Sequence, residues 1–326
     1  MYEYLRARQL RKEYSKQGWA LLIYYGILNV AVMLIMFVDA FVQAFAAASS
    51  GQEPDMEQMM NAMIANSGWG YFIAIAAGIF GLLLWKKPKF CFETIWKPGN
   101  KMSVGSFFGI FVIFTSAQLG AQLLFMLLEF IFNLGGLSIV QSMEAAGGST
   151  DSLSMFLYVG LGAPIFEEII FRGVVLRSVE PFGKKFAIFA SALLFGIYHG
   201  NLIQIPFAFA VGLVLGYVTV EYNIGWAMLL HLFNNLILSD TMTRLTANLP
   251  EPWPELSFWI VMVGCALAAL IVLIVQRRKV KLWLNRYQDD PLCKKAFWGA
   301  PGIITLISVI GVMTLVSTMM MITPLS

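Results

Sequence analysis

The sequence predicts an all-α fold: a polytopic membrane helical bundle of about eight to nine transmembrane helices enclosing an intramembrane cavity. Three observations carry this. Hydrophobic residues make up 59% of the 326 positions and charged ones only 13%, with a mean hydropathy of +0.73; soluble domains carry about 25% charged residues. Apolar runs long enough to cross roughly 30 Å of hydrocarbon, which takes about 20 residues, recur along the chain. The basic residues cluster between alternate runs. A backbone in lipid finds no water to bond, so each run is read as a helix.

In order, the runs fall near residues 19–48, 68–85, 104–134, 154–178, 186–201, 202–221, 224–239, 256–276 and 297–322. The first and third are long enough to tilt strongly or to include an interfacial turn. The fifth to seventh are short and close together, which predicts tight connections or partial re-entry. Polar loops are expected at Ser49–Asn66 and Leu134–Leu153 on one side and at Arg277–Lys295 on the other. The organisation is one membrane domain, with N-terminal helices over 1–153, a core over 154–239 and C-terminal helices over 240–326. A cleaved signal peptide is not favoured, because the first apolar stretch, near 30 residues, exceeds the roughly 7–15 of a signal core.

Charge sets the expected topology. Residues 1–18 hold five Lys/Arg, 86–103 five, 172–185 four and 277–295 seven, which is 21 of the 22. Alternate threading puts all four stretches on one side and Arg244 opposite. Positive-inside bias makes the basic side cytoplasmic, with the N-terminus inside. The net charge of +3 is no nucleic-acid signal, and the 277–295 stretch is read as fixing topology. Cys91, Cys265 and Cys293 are scattered and odd in number, which suggests neither a disulfide framework nor a zinc knuckle. Short loops lead us to expect a multi-pass protein of a bacterial cell membrane.

Ionisable groups inside a membrane are costly, so each needs a reason. The fourth run contains Phe166-Glu167-Glu168-Ile169-Ile170-Phe171-Arg172-Gly173. Glu168 and Arg172 are four apart on one helix face, where an ion pair forms readily. Glu167 is rotated about 100° away at 3.6 residues per turn and has no partner in its own helix. An unpaired carboxyl in an apolar setting suits a general base or acid. Pro164, just upstream, is placed to kink the helix and admit water. The chain has two histidines. Phe195 and His199 share a helix face in the fifth run, as do His231 and Asn235 in the seventh.

Peptide hydrolysis needs a base to activate water, donors for the oxyanion and an acid for the leaving amine. Glu167 with His199 fits the first need, and His231 and Asn235 present N–H groups for the second. No Gly-x-Ser-x-Gly elbow occurs and no cysteine lies near a histidine in sequence, so no covalent nucleophile is visible. Metal ligation is the competing account of the same atoms: Glu167, His199 and His231 as zinc ligands with a water position left open. Neither His-Glu-x-x-His nor another compact zinc pattern is present. The metal-free account is favoured and no cofactor is expected.

Glu-Glu-x-x-x-Arg, Phe-x-x-x-His and His-x-x-x-Asn, in that order on nearby runs, resemble the CPBP family, which includes the type II CAAX prenyl endopeptidases and bacteriocin-processing proteins. The likeness covers roughly residues 154–239, and all three motifs are intact at Glu167/Glu168/Arg172, Phe195/His199 and His231/Asn235. It implies about eight spans and a conical catalytic cavity open to the cytoplasmic side and to lipid. By this resemblance Glu167 and His199 activate water, and His231 and Asn235 stabilise the oxyanion. Glu168, Arg172 and Phe195 give structural support. The expected activity is intramembrane cleavage of a membrane-associated peptide or protein, unprenylated rather than prenylated, with the bilayer as partner and no nucleic acid.

Plainer readings stand beside these. A lone membrane histidine is commonly a helix contact, and Glu168–Arg172 alone is a buried ion pair. Asp39 and Glu129 are read as loop-proximal or interhelical polar contacts, and Gly212-x-x-x-Gly216 as a packing face. A non-catalytic scaffold regulating another membrane protein, such as a sensor kinase, is the alternative function. A proton-coupled transporter would require an inverted repeat that the sequence lacks. One tension concerns depth. Lys185 to His199 rises about 21 Å and Ile224 to His231 about 10 Å. The site is level only if the fifth helix starts deeper or tilts, or if its ends are misplaced by a few residues; misplaced ends are the favoured explanation.

Overall fold

The structure, a computed structural model, describes residues 1–51, 53, 55–147, 152–236, 242–246 and 248–325. Helix α1 (Tyr2–Ser50) runs 49 residues, about 73 Å at 1.5 Å per residue, and so extends far beyond a bilayer of about 30 Å. Its first turns lie on the basic end of the bundle, where Leu10, Tyr14 and Gln17 are buried. It stops at Gly51, whose φ of 70° is the left-handed conformation that lets its N–H reach the Ala47 and Ala48 carbonyls. Helix α2 (Met56–Trp85) starts at Asp55, whose carboxylate accepts from the Glu57 and Gln58 N–H groups. Most of the segment expected as a polar loop is therefore helix. Asp55 caps it, and Glu57, Gln58 and Asn61 occupy turns ahead of the apolar stretch.

Helix α3 (Val104–Leu134) leads into a two-residue strand, Leu137–Ser138, which pairs antiparallel with Thr323–Pro324, and into the short α4 (Val140–Gly147). Glu129 accepts from the Ser138 hydroxyl and the Ile139 N–H, both at 2.8 Å, and so ties α3 to this turn. It is the polar contact expected. Helix α5 (Leu153–Phe182) is fastened to α2 by the Ser152 and Ser154 hydroxyls, which donate to the Ala65 carbonyl. Helices α6 (Lys184–Tyr198), α7 (Gln204–Glu221) and α8 (Ile224–Phe233) follow with tight turns. Next come α9 (Met242–Thr246), α10 (Trp253–Arg286), α11 (Pro291–Trp298) and α12 (Pro301–Met320). The 277–295 segment, expected as a loop, is mostly helical: Arg, Lys and Leu favour helix, and α10 meets no breaker before Asp289-Asp290-Pro291.

The structure is 85% helical. Among the described residues seven helices (α1, α2, α3, α5, α7, α10 and α12) are long and apolar enough to cross a membrane. Helices α6 and α8, at 15 and 10 residues, are shorter; they bring the two histidines, and their shortness agrees with the expectation for the fifth and seventh runs. The last residues expected in the seventh run, 237–239, lie outside the described residues. Ile23, Val30, Phe37 and Phe41 on α1 and Leu267, Ile271 and Val275 on α10 are exposed. Such apolar belts are the lipid-facing surface of a multi-pass integral membrane protein.

Inside the belt, α5, α6, α7 and α8 pack around one another, α1 lies against α2 and α12, and α3 lies against α10. Two crossings depend on glycine. A Cβ at Gly18 would strike the backbone of Gly302 and Ile303, and one at Gly302 would strike Ser15. On α7, Gly212 and Gly216 face Ala192 and Ile188 of α6, as expected of a small-residue face. At one end of the bundle the basic stretches meet. Arg6 pairs with Asp290 at 2.8 Å, Lys97 with Glu180 at 3.8 Å, and Lys185 reaches the Leu284 carbonyl.

Candidate active site

Helix α5 is not a regular α-helix. Residues Tyr158–Gly162 and Glu168–Leu176 are π-helical, separated by the α-helical turn Ala163–Glu167 that holds Pro164. Proline removes an N–H from the ladder, and π-bulges accommodate such interruptions and kinks. The expected α-helical rotation between Glu167 and Glu168 therefore gives way to a wider turn from Glu168 onward. The two carboxylates nevertheless diverge. The Glu168 side chain is 0% exposed and that of Glu167 is 24% exposed.

Glu168 is engaged through one oxygen, Oε1, while its buried Oε2 has no hydrogen-bond partner among the described residues. Its Oε1 pairs with Arg172 Nη1 at 2.9 Å and accepts from His231 Nδ1–H at 3.0 Å. Arg172, itself 0% exposed, also donates to the Gly212 carbonyl at 3.4 Å and lies over the Phe195 ring at 4.2 Å. The motif pair is thus a triad that carries His231, a partner not inferred from the sequence. A charge removed from water needs this kind of pairing to be tolerated.

Glu167 remains available. Its Oε2 lies 3.8 Å from His231 Nε2, beyond hydrogen-bond distance. His199 follows the last residue of α6 and gives Nδ1–H to the Phe195 carbonyl at 2.8 Å. Both imidazoles are therefore anchored through Nδ1 and leave Nε2 unengaged, which fixes tautomer and orientation. Phe195 holds the rings together, edge-on to His199 at 4.7 Å and to His231 at 5.8 Å between centroids. Helices α6 and α8 begin within two residues of their expected starts and α6 ends three short.

Asn235 lies two residues beyond α8. Its Nδ2 donates to the Val159 carbonyl at 2.8 Å, and its Oδ1 accepts from Asn234 Nδ2 at 3.0 Å. Asn234 in turn accepts from Gln118 Nε2 at 2.9 Å, so a polar chain runs from α3 through the end of α8 to the π-turn of α5. Gln118 and Asn234 were not singled out in the sequence. The available signals were an amide within an apolar run and a second asparagine beside the motif. Two tyrosines escaped as well: Tyr24 packs on Phe166 with ring centroids 5.3 Å apart, and Tyr198 packs on Tyr24 at 6.3 Å and Phe171 at 5.4 Å. Tyrosine in an apolar span is common, which hides such a cluster. Asp39 stands apart, with a buried Oδ2 that has no partner among the described residues.

The zinc account can be tested on the donor set. Among the described residues no group of three or more His, Cys, Asp or Glu side chains is placed to hold a metal ion.

Comparison with known families bears on the same stretch. Residues 149–237 match the family model of the type II CAAX prenyl endopeptidase, Rce1-like. The matched segment, about a quarter of the chain, contains Glu167, Glu168, Arg172, His199, His231 and Asn235. It is an Rce1-like domain. At the level of the family this domain is that of a CAAX-type intramembrane endopeptidase, in agreement with the resemblance read from the motifs. No curated protein and no solved structure matches the chain.

Proposed function

We propose that the chain hydrolyses a peptide bond of a membrane-associated peptide, with Glu167 and His199 activating water and His231 and Asn235 stabilising the oxyanion. The observation that supports this most is the contrast between the two adjacent glutamates inside the Rce1-like domain. Glu168 is buried and bound twice, while Glu167 keeps a partly exposed carboxylate 3.8 Å from the anchored His231 imidazole.

The chemistry follows from those positions. Glu167 accepts a proton from water as the water oxygen bonds to the scissile carbonyl carbon. His199, its Nδ1–H held by Phe195, offers the Nε2 lone pair as a second acceptor that orients the water. Negative charge builds on the carbonyl oxygen. His231, its Nδ1–H held by the Glu168 carboxylate at 3.0 Å, donates to that oxygen from Nε2 when the ring carries both protons. Asn235 adds the Nδ2–H not engaged with Val159. Preorganised donors of this kind often dominate catalysis. The C–N bond then breaks as Glu167 passes its proton to the leaving amine.

We further propose that the end formed by the basic stretches faces the cytoplasm of a bacterial cell, in line with positive-inside bias, and that cleavage needs no metal ion. The test is peptide cleavage by detergent-purified protein. Wild type should cleave members of a quenched-fluorescent peptide library, whereas Glu167→Ala and His199→Ala proteins that fold normally should not. Full-rate cleavage by either variant would refute the assignment.

A further inference from the structure

The oxyanion of the proposed reaction needs hydrogen-bond donors that the resting protein does not already use. Asn235 has one N–H committed to Val159. His231 has Nδ1–H committed to Glu168 and donates from Nε2 only when protonated. A third candidate donor adjoins His199 in sequence and belongs to none of the three motifs. Tyr198 immediately precedes His199. Its ring lies parallel to Tyr24 with centroids 6.3 Å apart, and it is edge-on to Tyr25 at 5.3 Å and to Phe171 at 5.4 Å. Packing on these sides, with Phe166 in the same apolar cluster, fixes the ring.

The Tyr198 hydroxyl is nonetheless buried with no hydrogen-bond partner among the described residues. Buried hydroxyls are nearly always paired, and an unpaired one calls for an explanation. Here it belongs to a ring held on several sides, on the residue that immediately precedes His199. A substrate atom entering that space would complete its bonding. Since the hydroxyl can donate, and the reacting carbonyl oxygen is the group that gains acceptor strength during attack, the match is to that oxygen.

We propose that Tyr198 is a further catalytic residue, its hydroxyl donating to the scissile carbonyl oxygen as the oxyanion forms. This rests on the peptidase reading above. Tyr198→Phe keeps the ring and its stacking and removes only the donor. With a quenched-fluorescent peptide that the wild type cleaves, kcat should fall at least tenfold while KM stays within about twofold. The pH profile should keep its limbs. A phosphinate peptide of the cleaved sequence, which mimics the tetrahedral intermediate, should bind more weakly by a factor similar to the fall in kcat.

A wild-type kcat in Tyr198→Phe overturns the proposal. So does a displaced acidic limb, because that would place the hydroxyl on Glu167 as a positioning group. Glu167→Gln, measured alongside, separates the two levels: full activity there removes the peptidase reading itself, whereas an inactive Glu167→Gln with a fully active Tyr198→Phe removes Tyr198 alone. Should Tyr198→Phe fail to fold, fluorotyrosine placed at 198 provides the second variant. It retains the shape and strengthens the donor, so kcat should be kept or raised, and a tenfold fall would count against the proposal.

Discussion

Glu168→Gln separates two jobs that one carboxylate performs. The substitution is nearly isosteric but leaves Arg172, fully buried, without its counter-ion at 2.9 Å. Removing one partner of a buried pair typically costs about 3–5 kcal/mol, because the remaining charge is uncompensated. It also takes the charged acceptor away from His231 Nδ1 at 3.0 Å. The ring that is to donate to the oxyanion then loses its carboxylate anchor, and losing one such donor lowers kcat by about 10²–10³. Adding Arg172→Met removes the stranded charge while keeping an unbranched stem over Phe195. Stability in detergent, followed by denaturant titration, should fall in the single variant and largely return in Glu168→Gln/Arg172→Met. Cleavage should return in neither. The reasoning is refuted if Glu168→Gln keeps wild-type stability, or if the double variant merely shows the sum of the single losses.

Other consequences follow from the same contacts. Asn235→Ala should lower kcat by about 10²–10³ and leave KM nearly unchanged, as read from initial rates. Gly302→Ala would push a methyl into the Ser15 backbone at the α1–α12 crossing, and a loss of roughly 1–3 kcal/mol should appear in the same denaturant titration. Burial pushes the Cys293 thiol above its usual range despite the Tyr14 hydroxyl 3.0 Å away. At a given pH below about 9 it therefore holds less thiolate than an unfolded chain. Iodoacetamide should modify Cys293 at least tenfold more slowly in folded than in denatured protein, as mass spectrometry would show.

What the sequence made legible was set by local physics. Apolar length reported the long helices from α1 to α12, because crossing hydrocarbon imposes a length that few other structures need. The i, i+4 rule found Glu168 with Arg172 and Phe195 with His199, both pairs lying along single chain segments. It could not find His231 on Glu168, a contact between α5 and α8, nor Asn235 on Val159, since periodicity reports a face and not its neighbour. The π-helical stretches of α5 were hidden for a related reason: Pro164 signals a disturbance without saying which way the ladder relaxes. Met56–Asn66 and Arg277–Arg286 read as loops in the sequence because their polarity resembles that of a helix end. In both places the helix continues beyond the apolar layer, capped by Asp55 in one case and unbroken by Gly or Pro in the other.

In the proposed reaction Glu167 activates water for peptide cleavage without a metal. Purified protein incubated with a peptide library and a strong chelator, beside Glu167→Ala, tests it most directly. Fragments should persist under chelation and vanish in the variant. Cleavage abolished by chelator and restored by Zn²⁺ would contradict that reaction.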